Sequence, residues 1–204
     1  MSACPLCGLA SVSRIDLDGA RSPLYRCLGC GIVHWGQVWD REKAIEYYHD
    51  YYARKPVAYD PITEKRYHAI LDRFERLRTP GRLLDVGCGS GHFLAVAEAR
   101  GWQPVGLEVS ASGVELLDRL KMQRGWRFEV RGGDLLHADL PAGSFEAVTM
   151  FEVLEHLAEP MANLRRIHAL LRPGGLLYLT TPNFNSVSRY ALGGHWRAIV
   201  REHL

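Results

Sequence analysis

The segment Leu83-Leu84-Asp85-Val86-Gly87-Cys88-Gly89-Ser90-Gly91 restricts the folds open to this chain more than any other. An apolar run ends in glycines at every second position, directly before a helix-forming stretch that reaches Arg100. A buried strand must therefore turn sharply into a helix. Without Cβ atoms the backbone can bend tightly and approach a ligand closely, and the first turn of the helix offers free N–H groups. A nucleoside-like ligand is expected there. The dinucleotide fingerprint G-x-G-x-x-G would place its last glycine where this chain has His92, which disfavours pyrophosphate and a nicotinamide-dependent oxidoreductase. Asp85, one step before the turn, suits a cationic ligand better.

Strand and helix patterns alternate on both sides of this loop. Asp60 is placed to cap a helix that opens on Pro61, with Tyr67, Ile70, Leu71, Phe74 and Leu77 on one face and Pro80-Gly81 as its stop. Strands are expected over Arg82 to Val86, Pro104 to Val109, Trp126 to Val130, Phe145 to Met150 and Leu176 to Thr180. Helices fall between them. One runs from about Gly91 to Arg100, one opens at Ser110 or Ser112 with Val114, Leu117 and Leu120 on one side, and one covers Pro160 to Leu171 with Leu164, Ile167, His168 and Leu171 inward. Five strands joined by crossovers predict an α/β, Rossmann-like, doubly wound parallel sheet.

Two acidic positions complete the ligand reading. Glu108 ends the second strand of this series, where a carboxylate can accept hydrogen bonds from both ribose hydroxyls. Gly133-Asp134-Leu135, after the third strand, sets a carboxylate and an apolar side chain together, the usual mixture of a cofactor site. The motifs D-V-G-C-G-S-G, G-L-E, G-D-L and L-R-P-G-G-L-L, in this order between Arg82 and Pro182, resemble class I S-adenosylmethionine-dependent methyltransferases. The resemblance implies that Asp85, Gly87, Gly89 and Gly91 hold the methionine end of S-adenosylmethionine, Glu108 the ribose, and Asp134 with Leu135 the adenine. Cys88 is counted with these cofactor-binding residues as a small side chain in the loop, and Phe151 as a ring beside the cofactor.

Methyl transfer needs the acceptor atom in line with the sulfonium carbon, and a base if that atom is a hydroxyl oxygen. Phe151-Glu152-Val153-Leu154-Glu155-His156 ends the fourth strand with two carboxylates and an imidazole, so Glu152, Glu155 and His156 are the catalytic candidates. E-x-x-E-H has two readings. In the first these three residues hold Mg²⁺, which grips vicinal hydroxyls of the acceptor; this resembles ubiquinone-biosynthesis O-methyltransferases and small-RNA 3′-end methyltransferases. In the second His156 is a general base or orients the loop, and the glutamates make hydrogen bonds.

Four of the five cysteines form two C-x-x-C pairs, Cys4/Cys7 and Cys27/Cys30. The spacing fits a closed, structural Zn²⁺ site of four thiolates, holding a module too small for a core of its own; a redox dithiol pair is the alternative. C-P-L-C-G, R-C-L-G-C-G-I-V-H-W and the tyrosine run Tyr47, Tyr48, Tyr51, Tyr52 resemble bacterial methyltransferases with an N-terminal zinc ribbon, many of them acting on sugars, lipids or polysaccharide precursors. That resemblance implies a substrate-side role for the module. The expected organisation is a zinc-ribbon-like module over 1–40, a connector over 41–60 and the methyltransferase domain over 61–204.

A formal charge of +2 provides no global basic field, so a small-molecule, sugar or lipid-like acceptor leads and RNA stands behind it. A non-catalytic binding module of the same fold is the other rival, opposed by the intact glycine and acidic positions. No leader-like N-terminus and no run of about 18 apolar residues is present, which places the expectation in the cytoplasm without a membrane span. The resembled family continues past its fifth strand with a helix and an antiparallel pair. Gly193 to Leu204 reads as the start of that continuation, so the sequence is expected to be a fragment lacking the C-terminal strands.

Overall fold

The computed structural model describes residues 3–17, 23–35, 46, 61–196 and 198–199. The tyrosine run, the Asp60 cap, Arg197 and residues 200–204 lie outside the described residues. The chain divides into two units: Met1–Ala44 with Glu152–Asn163 and Thr180–Leu204, and Ile45–Phe151 with Leu164–Leu179.

In the first unit β1 (Val12–Ile15), β2 (Leu24–Cys27) and β3 (Val33–Trp35) form an antiparallel sheet in that order. The register sets Val12 opposite Cys27 and Leu24 opposite Trp35. Leu24, Cys27, His34 and Trp35 are buried. That is little apolar material for three strands, so another source of stability is required. This unit also holds a 3₁₀ turn over Leu154–His156 and a short helix, Val187–Leu192, capped by the Ser186 hydroxyl accepting from Arg189 N–H.

The second unit carries the larger sheet. Its helix α1 (Pro61–Leu77) starts on the proline read from the sequence and buries Ile70, Leu71 and Phe74, with Tyr67 half-buried. Leu77, expected on this face, is instead exposed, as the final residue of the helix. The strands β4 (Arg82–Val86), β5 (Gln103–Glu108), β6 (Glu129–Gly132), β7 (Phe145–Phe151) and β8 (Leu171–Thr180) stand in the order β6-β5-β4-β7-β8. The pairs β4–β5, β4–β7 and β5–β6 are parallel, as the alternating pattern requires. Helix α2 (His92–Ala99) follows β4, and α3 (Ala111–Arg124) follows β5. Leu83, Phe93, Leu94, Leu117, Phe128 and Ala147 pack in one apolar core with the buried face of α1.

Two boundaries and the placing of one side chain differ from the sequence reading. Trp126 and Phe128 alternate correctly but precede the paired strand, which starts only at Glu129. Helix α4 (Pro160–Leu170) buries Asn163, Ile167 and Leu170, and His168 is exposed. The buried stripe at 163, 167 and 170 has ordinary helical spacing and leaves His168 off it. Leu171, expected as the last helical residue, opens β8, which runs extended through Arg172-Pro173-Gly174-Gly175.

Ser110 caps α3, its hydroxyl accepting from Gly113 N–H at 3.2 Å, and it is fully buried. Ser110→Ala is expected to lower the unfolding free energy by about 1 kcal/mol, read from urea denaturation. An unchanged midpoint would show that the cap contributes nothing.

Candidate functional site

Three glycines, at φ of 69° (Gly87), 54° (Gly89) and 74° (Gly91), turn the end of β4 into α2. Gly87 and Cys88 donate their N–H groups to Leu107 O at 2.8 and 3.2 Å, which ties the loop to β5. Gly106 sits under the turn: a Cβ there would come within 2.7 Å of Cys88 Sγ, so the loop approaches β5 too closely for any side chain. Cys88 is buried in this contact.

Two carboxylates stand at the adjacent strand ends. Asp85, the fourth residue of β4, is fully enclosed and accepts from Thr149 Oγ1 at 2.7 Å. Burial pushes its pKa up to about 7, the Glu108 charge adds to the rise, and the Thr149 hydrogen bond opposes it. Glu108 closes β5, and its carboxylate accepts from Gly89 N–H at 3.1 Å and Ser110 N–H at 3.0 Å. It therefore fastens the glycine loop to the start of α3.

The pattern reading missed two supporting residues. Thr149 is a buried hydroxyl in the otherwise apolar interior of β7, a polar interruption that is itself a sequence signal. Tyr67 looked like a core position of α1. Its phenol pKa is raised first by burial and then by the Asp85 charge, which brings it to the carboxylate's neighbourhood.

Asp134 and Leu135 follow β6, and Gly133 N–H donates to Glu108 O at 3.0 Å. Leu135 is buried, while the Asp134 carboxylate accepts from Leu136 N–H at 3.0 Å and contacts His137 Nδ1 at 2.8 Å. Phe151 belongs to an aromatic group, its ring centroid 4.9 Å from Phe93, 5.7 Å from Tyr67 and 5.8 Å from Tyr178.

In the first unit, the candidates after β7 part ways. Glu152 is exposed with φ 52°, an uncommon conformation for a residue with a Cβ, and its N–H donates to Thr180 O at 3.0 Å. Glu155 is buried, with neither carboxylate oxygen in a hydrogen bond. Its pKa rises to about 7, first through burial. His156 closes the 3₁₀ turn, its N–H donating to Val153 O at 2.9 Å. Glu155 also lines a pocket of about 160 Å³ within this unit.

Among the described residues, the group of metal-ligating side chains with converging donor atoms is Cys4, Cys7, Cys27 and Cys30. Glu152, Glu155 and His156 make no such group, so the Mg²⁺ reading finds no converged donor set. All four sulfurs lie within 4.8 Å of one another, with Cys4–Cys30 at 3.6 Å and Cys7–Cys27 at 3.5 Å. A disulfide needs about 2.05 Å. Tetrahedral zinc at about 2.3 Å from each sulfur needs roughly 3.8 Å between sulfurs, which these positions fit. Each pair is shaped by the same turn: Gly8 N–H donates to Cys4 O and Gly31 N–H to Cys27 O, with both glycines at positive φ. Within the cluster Cys27 is held down to about 6, first by the Cys30 backbone N–H, while desolvation pushes Cys30 up to about 12.

A family model described as a methyltransferase domain matches residues 59–204, and the chain belongs to that family. A ubiquinone biosynthesis O-methyltransferase of Xanthomonas campestris pv. campestris is 41% identical over 112 residues, covering 53% of this chain and 46% of the relative. One from Pseudomonas paraeruginosa is 29% identical over 150 residues, covering 72% and 58%. The chain thus spans about half the length of the curated relatives it matches. Among solved structures, Haemonchus contortus phosphoethanolamine N-methyltransferase 2 in complex with S-adenosyl-L-methionine is 27% identical with a TM-score of 0.52, covering 57% of this chain and 28% of that one. A geranyl diphosphate methyltransferase at 22% identity and TM-score 0.53, covering 62% and 49%, shares the fold.

Proposed function

We propose that this chain transfers a methyl group from S-adenosylmethionine to an oxygen or carbon of a small-molecule, sugar or lipid-like acceptor. The observation that carries this reading is the pair of buried carboxylates, Asp85 and Glu108, at adjacent strand ends beside a loop of left-handed glycines. It stands in a domain whose family is a methyltransferase family. The Haemonchus relative solved with S-adenosyl-L-methionine and the ubiquinone-biosynthesis relatives support the cofactor and a small acceptor.

When bound, S-adenosylmethionine supplies the methyl group as a sulfonium substituent. Asp85 takes the ammonium of its methionine end, Gly87, Cys88, Gly89 and Gly91 lie against it, Glu108 accepts from the ribose, and Asp134 with Leu135 flanks the adenine. Phe151 supports the cofactor pocket through its ring cluster. Glu152, Glu155 and His156 are assigned to the acceptor side, where a hydroxyl acceptor loses its proton to a base as the new bond to carbon forms. Cys4, Cys7, Cys27 and Cys30 hold a structural Zn²⁺ in the module over 1–40, the connector covers 41–60, and the methyltransferase domain covers 61–204. None of the helices described is long and apolar enough to cross a membrane, and the proposed site of action is the cytoplasm.

Calorimetric titration of S-adenosylmethionine, with NADH as the rival ligand, tests the reading. The ammonium pairs with the carboxylate form of Asp85, so affinity is expected to rise from about pH 6 to about pH 8. Asp85→Asn is expected to weaken binding about a hundredfold and flatten that profile, as loss of a buried charged partner does. The raised acid also destabilises the folded state: between 3.8 and about 7 the folded protein holds the extra proton, so stability falls as pH rises through that window. Ligand-free Asp85→Asn is therefore the more stable protein above pH 7. Binding of NADH in place of S-adenosylmethionine would overturn the proposal.

A further inference from the structure

Glu155 is buried in the first unit, 7% exposed, and among the described residues neither of its oxygens accepts a hydrogen bond, with Thr181 and the Glu152 charge as its polar neighbours. Keeping an ionised carboxylate in this state costs several kcal/mol, which is relieved either by taking up a proton or by a cationic partner from outside the chain. The side chain lines the pocket of about 160 Å³. The wall around it carries three aromatic rings, Trp35 from β3, Phe184 and Trp196, together with Leu24. Thr181 is its other polar side chain besides Glu155. Among the described residues, none of those lining it is basic.

A carboxylate facing aromatic walls favours one ligand chemistry over others. A protonated amine satisfies both oxygens through its N–H groups and is attracted by the ring faces. A neutral alcohol offers one donor and leaves the charge uncompensated. The size sets the body of the ligand: an apolar cavity of about 150 Å³ accommodates benzene.

We infer that this pocket binds a ring-sized apolar ligand bearing an ammonium group, with Glu155 as the counter-charge and Trp35, Phe184 and Trp196 as the walls. A protonated amine has no lone pair to receive a methyl group, so the ammonium anchors the ligand and a different atom is methylated. That this ligand is the methyl acceptor rests on the reading given under Proposed function; that the pocket binds it does not. The sheet β1–β3 thereby acquires a direct part in ligand selection, because Leu24 and Trp35 belong to it.

The test uses the full chain with zinc bound, and benzylamine and benzyl alcohol as probes of equal size. Benzylamine is expected to bind saturably at pH 7.5, about tenfold or more tighter than benzyl alcohol, the margin of a charge-assisted hydrogen bond. Glu155→Gln keeps the shape and is expected to reduce benzylamine affinity to that of the alcohol. Equal binding of the two probes by the wild-type protein, which needs no variant to fold, overturns the inference, as does no binding of either. Undiminished benzylamine binding by a folded Glu155→Gln protein does the same. S-adenosylmethionine is titrated in parallel. Its failure to bind would overturn the methyltransferase reading and leave the amine result standing, and the converse pattern would remove this inference alone.

Discussion

Removing the metal from the four-cysteine site is expected to unfold β1–β3 while the sheet β4–β8 stays intact. The strands of the small sheet contribute only Leu24, Cys27, His34 and Trp35 to the buried set, whereas the larger unit has a core of aromatic and aliphatic side chains drawn from α1, α2, α3 and the sheet. Zinc on four sulfurs within 4.8 Å of one another, as proposed above, would supply what the small sheet lacks. Structural zinc in peptides of this size contributes on the order of 10 kcal/mol or more, and where no other core exists that is the whole folding free energy. Hydrogen exchange measured before and after chelation should show β1–β3 amides losing protection and those of β4 and β5 keeping theirs. Cys27→Ser should reproduce the effect without a chelator, since Cys27 is fully buried and holds one of the converging sulfurs. Purified protein without about one zinc per chain, or a small sheet still protected after its removal, would refute the assignment.

The second large effect is expected at Gly91. Its φ is 74°, and a Cβ there would lie 2.5 Å from Leu117 Cδ2 and 2.9 Å from Phe128 Cζ. Both neighbours are buried, Leu117 completely, so neither can swing aside. Left-handed backbone costs a residue with a Cβ about 1–2 kcal/mol, and overpacking adds about 1–3 kcal/mol. Gly91→Ala should therefore lose about 2–5 kcal/mol of stability and Gly91→Val more, measured by urea unfolding. Gly125→Ala is the matched control. Its φ is 70° with nothing within 4 Å of the added carbon, so it should lose only the backbone part. Equal losses at the two positions would show that packing under the loop does not matter.

These effects could be foreseen to different degrees from the residues alone. Glycine spacing, the acid before the turn and the paired cysteines were legible because each restricts the backbone or the chemistry locally. The cap of α3 was legible only as Ser110 or Ser112, and it is Ser110. What escaped depended on partners distant in sequence. Thr149 matters because β7 lies beside β4 and brings its hydroxyl to Asp85, 64 residues away. His168 is polar enough to be tolerated on either face of α4, and packing chose the outward one. Glu155 was visible as one of three polar residues in E-x-x-E-H, but no periodicity could show that its carboxylate is buried without a partner while Glu152 is exposed. The start of β6 was misread because alternation records which side chains face the core, not where strand pairing begins.

The position of Cys88 has a consequence for how the chain meets oxidants. Its thiol is enclosed against Gly106, and burial, followed by the charges of Asp85 and Glu108, pushes its pKa well up. The thiolate is the form that attacks peroxides and disulfide reagents, so this sulfur is chemically silent. Cys7 and Cys30, by contrast, are exposed. Desolvation pushes the Cys30 thiol up as well, to about 12, so access rather than thiolate character sets the small sheet's sulfurs apart from the enclosed Cys88.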